Sequence, residues 1–269
     1  MKKLAIMIFC AIIAAGIAFA GAQKETGSDD SLQKIHSKKK FVMGLDDSFP
    51  PMGFRNDQNE IVGYDVDLAK EVCRRLGWEL VPQPIDWNAK EQELAAGEID
   101  CIWNGFTITE ERKKAILFSP PYLKNAQIVV VKQTSPINTL KDLAGKRVGT
   151  QTGSSSVDAI DKAADFKKSL REIIEYKDFL TAFMDLDAGG VDAVVADLVV
   201  ANDSINRSGK PLRKLHETLG EEEFGIGFRK SDIALEEEIW KTLQSMVTDG
   251  TVAQISEIWF SDDISVIGK

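Results

Sequence analysis

Histidine occurs twice in these 269 residues and cysteine three times, and neither forms a cluster. His36 and His216 stand far apart with no cysteine or carboxylate group beside them, so the ligand spacing of a metal site is missing. No cofactor-binding motif is visible either. The "GIGF" at Gly225 lacks the following glycine of a nucleotide loop and reads as strand. Basic clusters are sparse and the formal charge is −9, which argues against a nucleic-acid partner. Cys10 lies in the leader described below. Cys73 and Cys101 each sit in an apolar pattern, one on a helix and one on a strand. Two cysteines make no disulfide scaffold; they read as buried free thiols, with a bond between them left open.

What is present fits a folded soluble protein: 43% of residues are hydrophobic and 28% are charged. The length suits one large domain or two small ones. Residues 1–20 stand apart. Lys2 and Lys3 precede an apolar run from Leu4 to Ala20, and Ala18-Phe19-Ala20 fits a signal-peptidase site before Gly21. We read a cleaved export signal, and hence an exported, periplasmic protein. An uncleaved anchor is the alternative, and the run is short for a membrane span. Bulky Phe9 before Cys10 argues against lipidation there. Loss of Lys2 and Lys3 takes the charge from −9 to −11. Residues 21–40 are polar and read as a flexible tether.

From Phe41 onward the pattern is β-α-β-α-β. A strand ends at Asp46, and "GYDVDLAKEVCRRLGW" follows as a helix with Asp65 as its expected N-cap and Gly77 as its stop. A strand from Leu80, a helix to Ala96 and a strand over residues 100–103 complete the unit. A second region repeats it. "LAAGEID" at 94–100 matches "LDAGGVD" at 186–192, each a helix end, a Gly stop and a strand start. The order predicts an α/β fold of two lobes. Ile128–Lys132 can carry the chain from lobe one to lobe two and Phe224–Phe228 can carry it back, which makes two hinge crossovers. The expected bounds are 41–125 with 226–269 for lobe one, and 126–225 for lobe two. Two helices broken at Asp249-Gly250 form the tail.

Ligands of open α/β sheets bind beyond the carboxyl ends of the strands. Lobe one places Asp46, Phe49, Trp87, Asn104, Gly105, Thr107 and Arg112 there. Lobe two places Gln151, Gly153, Ser154, Ser155, Ser156 and Asp197. Arg112 suits a bidentate grip on a carboxylate. The Gly153-Ser loop opens a helix, whose free N–H groups also favour an anion. Asp197 ends an apolar strand, where a cation is its natural partner. Together these describe the two ends of an amino-acid zwitterion. Each has a plainer alternative: a surface charge beside Glu110 and Glu111, a helix cap, a polar turn.

The stretches "GYDVDLAKEV", "GFTITEERKKAILFSPPY", "LKDLAGKRVGTQTGSSS", "DAVVAD" and "DGTVAQISEIWF", in that order, resemble the amino-acid-binding extracytoplasmic solute-binding proteins of ABC importers, over about Phe41 to Phe260. The resemblance implies a two-lobed periplasmic-binding-protein fold, an ABC permease as partner and no catalysis. It implies that Arg112 holds the ligand carboxylate with N–H groups of Thr107 and Ser155. Asp197 and the Gly105 carbonyl would take the ammonium. Asp46, Phe49, Trp87, Asn104 and Gln151 would line the side-chain pocket. Trp103 departs from the small or aliphatic residue usual there; strand alternation turns it toward the core. Phe49 and Trp87 could stack on a flat or cationic group, and Asp46 could receive it, which favours a cationic or glutamine-like ligand. We expect a monomer.

Two rivals share the fold. A cyclohexadienyl-type dehydratase needs a general acid in the cleft, a role open to Asp46 or Asp47, but Asp197 then faces a substrate without an ammonium. A ligand sensor for a signalling partner would call for an output segment that the sequence does not show.

Overall fold

The computed structural model describes residues 29–269 except Ser208. The expected signal peptide and the first part of the expected tether lie outside the described residues. Lobe one opens with α1 (Ser31–Lys38) and β1 (Lys40–Leu45). Three short strands, β2 (Ser48–Phe49), β3 (Gly53–Arg55) and β4 (Ile61–Val62), form a small sheet ahead of α2 (Tyr64–Leu76). Then come β5 (Glu79–Pro84), α3 (Lys90–Ala96), β6 (Cys101–Ile102) and β7 (Ile116–Phe118). Lobe two follows as β8 (Leu123–Lys132), β9 (Arg147–Gln151), α4 (Ser155–Lys162), α5 (Ala164–Ser169) and β10 (Glu172–Tyr176). It continues with α6 (Phe179–Ala188), β11 (Ala193–Asp197), α7 (Leu198–Arg207) and β12 (Leu212–Phe224). The chain returns to lobe one through β13 (Gly227–Arg229) and ends in α8 (Ile233–Thr248) and α9 (Thr251–Phe260).

Each lobe carries one five-stranded mixed sheet, ordered β5-β1-β6-β13-β7 and β10-β9-β11-β8-β12. In both, the first three strands of that order run parallel and the last two add antiparallel pairs. The repeated helix-Gly-strand element plays one structural role twice. Gly97 and Gly189 end α3 and α6 in the left-handed conformation, as a side-chain-free residue allows. The aspartate three residues on then clasps the neighbouring strand. Asp100 exchanges backbone and side-chain hydrogen bonds with Val42, at 2.8 and 2.7 Å. Asp192 does the same with Arg147, both at 2.8 Å. The helix stop thus sets the register of a parallel strand.

Three expectations need correction. The tether does not run to Lys40: Ser31–Lys38 is helix, and Ile35 buries its side chain in the lobe-one core. The Trp78 indole also donates to His36 Nδ1 at 3.3 Å. The hinge does not lie at Ile128–Lys132. Those residues sit inside the lobe-two sheet, paired to β11 on one side and β12 on the other. The chain crosses earlier, where Leu123 to Ala126 pairs with Phe224 to Glu221. The return is complete by Gly227, which already pairs within the lobe-one sheet. Asp65 is not a cap: α2 starts one residue earlier, and the Asp65 side chain points inward, fully buried. The long strand β12 was unforeseen.

Cys73 and Cys101 are both buried and unpaired. Trp103 is buried in the core, edge-on to Tyr122. No helix among the described residues is long and apolar enough to cross a membrane. Because Ile35 is 2% exposed, Ile35→Ala should cost about 2 to 5 kcal/mol of stability in urea unfolding. A loss under about 0.5 kcal/mol, as for an undocked surface residue, would return this segment to a tether.

Candidate ligand-binding site

The carboxyl ends of both sheets face each other across a closed cleft. A small cavity lies between them. Phe49, Trp87, Gly105 and Arg112 of lobe one line it, with Gln151, Ser154, Ser155 and Asp197 of lobe two. Eight of the eleven site residues expected from the sequence therefore share one wall-to-wall space. Asp46, Asn104 and Thr107 stand just behind that lining and bond to residues beside or within it.

Arg112 follows Thr109, whose hydroxyl accepts its backbone N–H at 3.1 Å. The guanidinium is 8% exposed. It donates to the Thr107 carbonyl at 2.9 Å and to Gly153 of the other lobe at 3.3 Å, and it lies 4.7 Å over the Phe106 ring. Burial lowers its proton affinity, opposed by the charges of Asp158 and Glu91. Close by, α4 begins at Ser155. The Ser154 hydroxyl turns back to the Gln151 carbonyl at 2.7 Å and leaves the helix end without a side-chain cap. A guanidinium and an uncapped helix N-terminus on one cavity favour an anion there.

Asp197, 3% exposed, stands on the lobe-two wall. Asn125 and Gln127 donate to its Oδ1 at 2.6 and 2.9 Å. Burial first, and then the charge of Glu222, raise its carboxyl well above the ordinary range. Among the described residues it has no lysine or arginine ion-pair partner. A cationic group entering the cavity would supply one.

The far end is acidic as well. Gln151 Nε2 crosses the cleft to Asp46 Oδ2 at 2.7 Å. Asn104 accepts the Asp46 N–H at 3.1 Å, so its part is to hold Asp46 rather than to line the pocket. Burial, with help from the charges of Asp178 and Asp47, pushes Asp46 up to about 6. Asp47 itself is paired with Arg55 at 2.5 Å.

Two buried groups behind the site escaped the sequence. Asp65 Oδ2 accepts the Gly105 N–H at 2.8 Å and the Tyr122 hydroxyl at 2.9 Å. It thereby fixes Gly105 at φ 57°, where a Cβ would come within 2.7 Å of the Phe49 ring. Lys90 spans the lobes: its Nζ donates to the Trp87 carbonyl at 3.0 Å and to Gly153 at 2.9 Å. Burial, reinforced by the Arg112 charge, pulls Lys90 down to about 8. The lobes also meet where the Thr107 and Ser155 hydroxyls lie 2.9 Å apart.

Two α/β lobes shut on a cavity with one buried cation and one buried acid define a solute-binding architecture. The chain belongs to the bacterial extracellular solute-binding proteins, family 3, whose model matches residues 41–262. The L-cystine-binding protein TcyJ of Escherichia coli strain K12 is 28% identical over 262 residues, covering 94% of this chain and 95% of its own. A substrate-binding protein of an ABC uptake transporter from Streptococcus pneumoniae, solved with bound histidine, superposes with a TM-score of 0.86. It is 36% identical and covers 89% of this chain and 99% of its own. Tv2483, solved bound to L-arginine, gives a TM-score of 0.84 at 33% identity, over 90% of this chain and 99% of its own.

The Asp65 environment predicts a pH dependence. Its carboxyl is pushed up to about 7 by burial, above the ordinary value of the unfolded chain. Below about pH 4 the group is protonated in both states and costs nothing. Between about pH 4 and 7 only the folded state holds the proton, so stability falls with rising pH and levels off once the folded group also ionises. Wild type should lose about 4 kcal/mol relative to Asp65→Asn between pH 4 and 7.5, read from denaturant midpoints. A flat difference would mean that Asp65 is ionised throughout.

Proposed function

We propose that this protein is the exported substrate-binding component of an ABC importer and captures a polar L-amino acid, cationic or glutamine-like. The observation that carries the reading is the placement of Arg112 and Asp197 on one cavity, buried and not bonded to each other. A zwitterion answers both charges at once. Its carboxylate would meet Arg112 and the start of α4, and its ammonium would meet Asp197 and the Gly105 carbonyl. Phe49 and Trp87 would flank the side chain. Asp46, with Asp178 and Asp47 near it, makes that end acidic and favours the cationic choice.

Capture proceeds by closure. The free protein samples an open form in which lobe one receives the ligand. Lobe two then swings about the paired strand segments at 123–126 and 221–224. The ligand drives this only through contacts that exist in the closed form. Lys90, Gln151 and Thr107 supply bonds between the lobes that hold the shut state. Exclusion of water strengthens each charged contact. Micromolar affinity needs about −8 kcal/mol. Two charge-assisted clamps at about 1.5 to 3 kcal/mol each, with aromatic burial, are of the right size. The closed protein, a monomer, docks on its permease and hands over the ligand without chemical change. A dehydratase reading is disfavoured by Asp197, which an acid substrate lacking an ammonium would leave buried and uncompensated.

Arg112→Ala and Asp197→Ala should each weaken amino-acid binding about 100-fold or more in calorimetry, because each strands an opposite charge on the ligand. Circular-dichroism melts should show both variants folded. Near-normal affinity in either one removes that residue from the site.

A further inference from the structure

The ammonium end carries a second acid that the reading above does not use. Glu222 lies near the end of β12, opposite Asn125 of β8, where the chain crosses between lobes. Asn125 Nδ2 donates to Asp197 Oδ1 at 2.6 Å and to Glu222 Oε1 at 2.5 Å. Gln127 Nε2 donates to the same two oxygens at 2.9 and 2.8 Å. Two carboxyl oxygens gripped by the same two nitrogens are necessarily neighbours. The Thr107 hydroxyl of lobe one and the Ser155 hydroxyl of lobe two also reach Glu222 Oε1, at 3.1 and 3.4 Å. This oxygen therefore sits where the lobes meet, beside the cavity.

Two carboxylates so placed repel each other when no cation lies between them, and burial together with the Glu222 charge holds the Asp197 carboxyl well above its ordinary range, so Asp197 carries a proton before the ligand enters. The other charged groups do not supply that cation. Arg112 is bonded to Thr107 and Gly153. Lys113 and Lys124 line the outer groove beside Glu222, with Glu110, Glu221 and Glu223 among them. Lys162 and Asp158 flank Ser155 on α4. Among the described residues none of these lysines forms an ion pair with either acid. Asn125 is 5% exposed, and its Oδ1 is buried without a hydrogen-bond partner. A further N–H donor beside the pair would satisfy it.

We propose that Glu222 is a second ammonium-reading residue, and that the ligand's ammonium replaces a proton held on Asp197, so that capture releases one proton. This rests on the amino-acid reading of the same site. The balance is simple. The ligand enters as an ammonium and keeps its protons, one carboxyl O–H breaks, and that proton leaves to the buffer. While Asp197 is protonated in the free protein, affinity rises about tenfold per pH unit.

Calorimetry at pH 6 in two buffers of different ionisation enthalpy counts the protons. The ligand would be the tightest binder among the twenty common amino acids in a thermal-shift screen. Wild type should release about one proton more than Glu222→Gln, which should still bind. Any proton that a cationic ligand displaces from Asp46 at this pH is common to wild type and Glu222→Gln, so the difference between the two counts reads the ammonium end alone. Equal counts in wild type and Glu222→Gln overturn the proposal, as does zero release by wild type. If no amino acid binds wild type at all, the functional reading fails with it; binding with unchanged counts removes only the role of Glu222.

Discussion

A buried cation and a buried acid that share a cavity but do not touch set the terms for the rest of this molecule. Removing an ionised group from water costs several kcal/mol even after the protein relaxes. Arg112 and Asp197 could relieve that cost by pairing, and the fold keeps them on opposite lobes instead. Each is supported by fixed dipoles. Carbonyls of Thr107 and Gly153 face the guanidinium; the amides of Asn125 and Gln127 face the carboxyl. Of these dipoles only the Gly153 carbonyl comes from the opposite lobe, so closure completes the shell around the guanidinium while Asp197 is held within its own sheet. Stability of the closed form and complementarity to a dipolar ligand are then one property of the same residues.

Much of this was legible because it rests on local chemistry. Gly97 and Gly189 stop helices for a steric reason that any α/β unit shares, and the aspartates after them recur because a parallel strand start needs its backbone groups met. Strand ends collect ligand residues, which is why Phe49, Trp87, Gly105, Arg112, Gln151, Ser154, Ser155 and Asp197 could be gathered from the sequence and do line one cavity. What convergence could not supply was depth. Asp46, Asn104 and Thr107 were placed at the pocket wall, whereas hydrogen bonding sets them one layer behind it.

The residues that were missed share a cause: their role depends on partners distant in sequence. Asp65 follows Gly63-Tyr64 at a helix start and looks like a cap. Only the approach of Gly105 and Tyr122 makes it a buried acceptor. Lys90 opens α3, where a lysine is ordinarily solvated, and it is the closed lobe-two loop that covers it. Glu222 sits in an acidic run that reads as solvent-facing. The strand that contains it carries polar residues on both faces and bulges at Thr218 and Gly220, so alternation gave no signal. The α1 helix turns on two apolar residues, Leu32 and Ile35, in an otherwise polar stretch.

The far end of the cavity bears most directly on which side chain fits. Gln151 already donates to Asp46 across the lobes, so a ligand side chain must join or replace a good hydrogen bond. A neutral amide would exchange like for like and gain little, since the net worth of a neutral hydrogen bond is about 1 kcal/mol. A guanidinium or ammonium would do more. Burial holds the Asp46 carboxyl near 6, so at neutral pH it is largely ionised but poorly compensated, with Asp178 and Asp47 adding to the negative field. A positive side chain relieves that field, and a hydrogen bond to a charged group is worth about 1.5 to 3 kcal/mol. Under the proposed reading, the same acidity that would penalise a glutamate-like ligand by like-charge contact would favour a cationic one, and the discrimination would arise at Asp46 without any change to the clamps at Arg112 and Asp197.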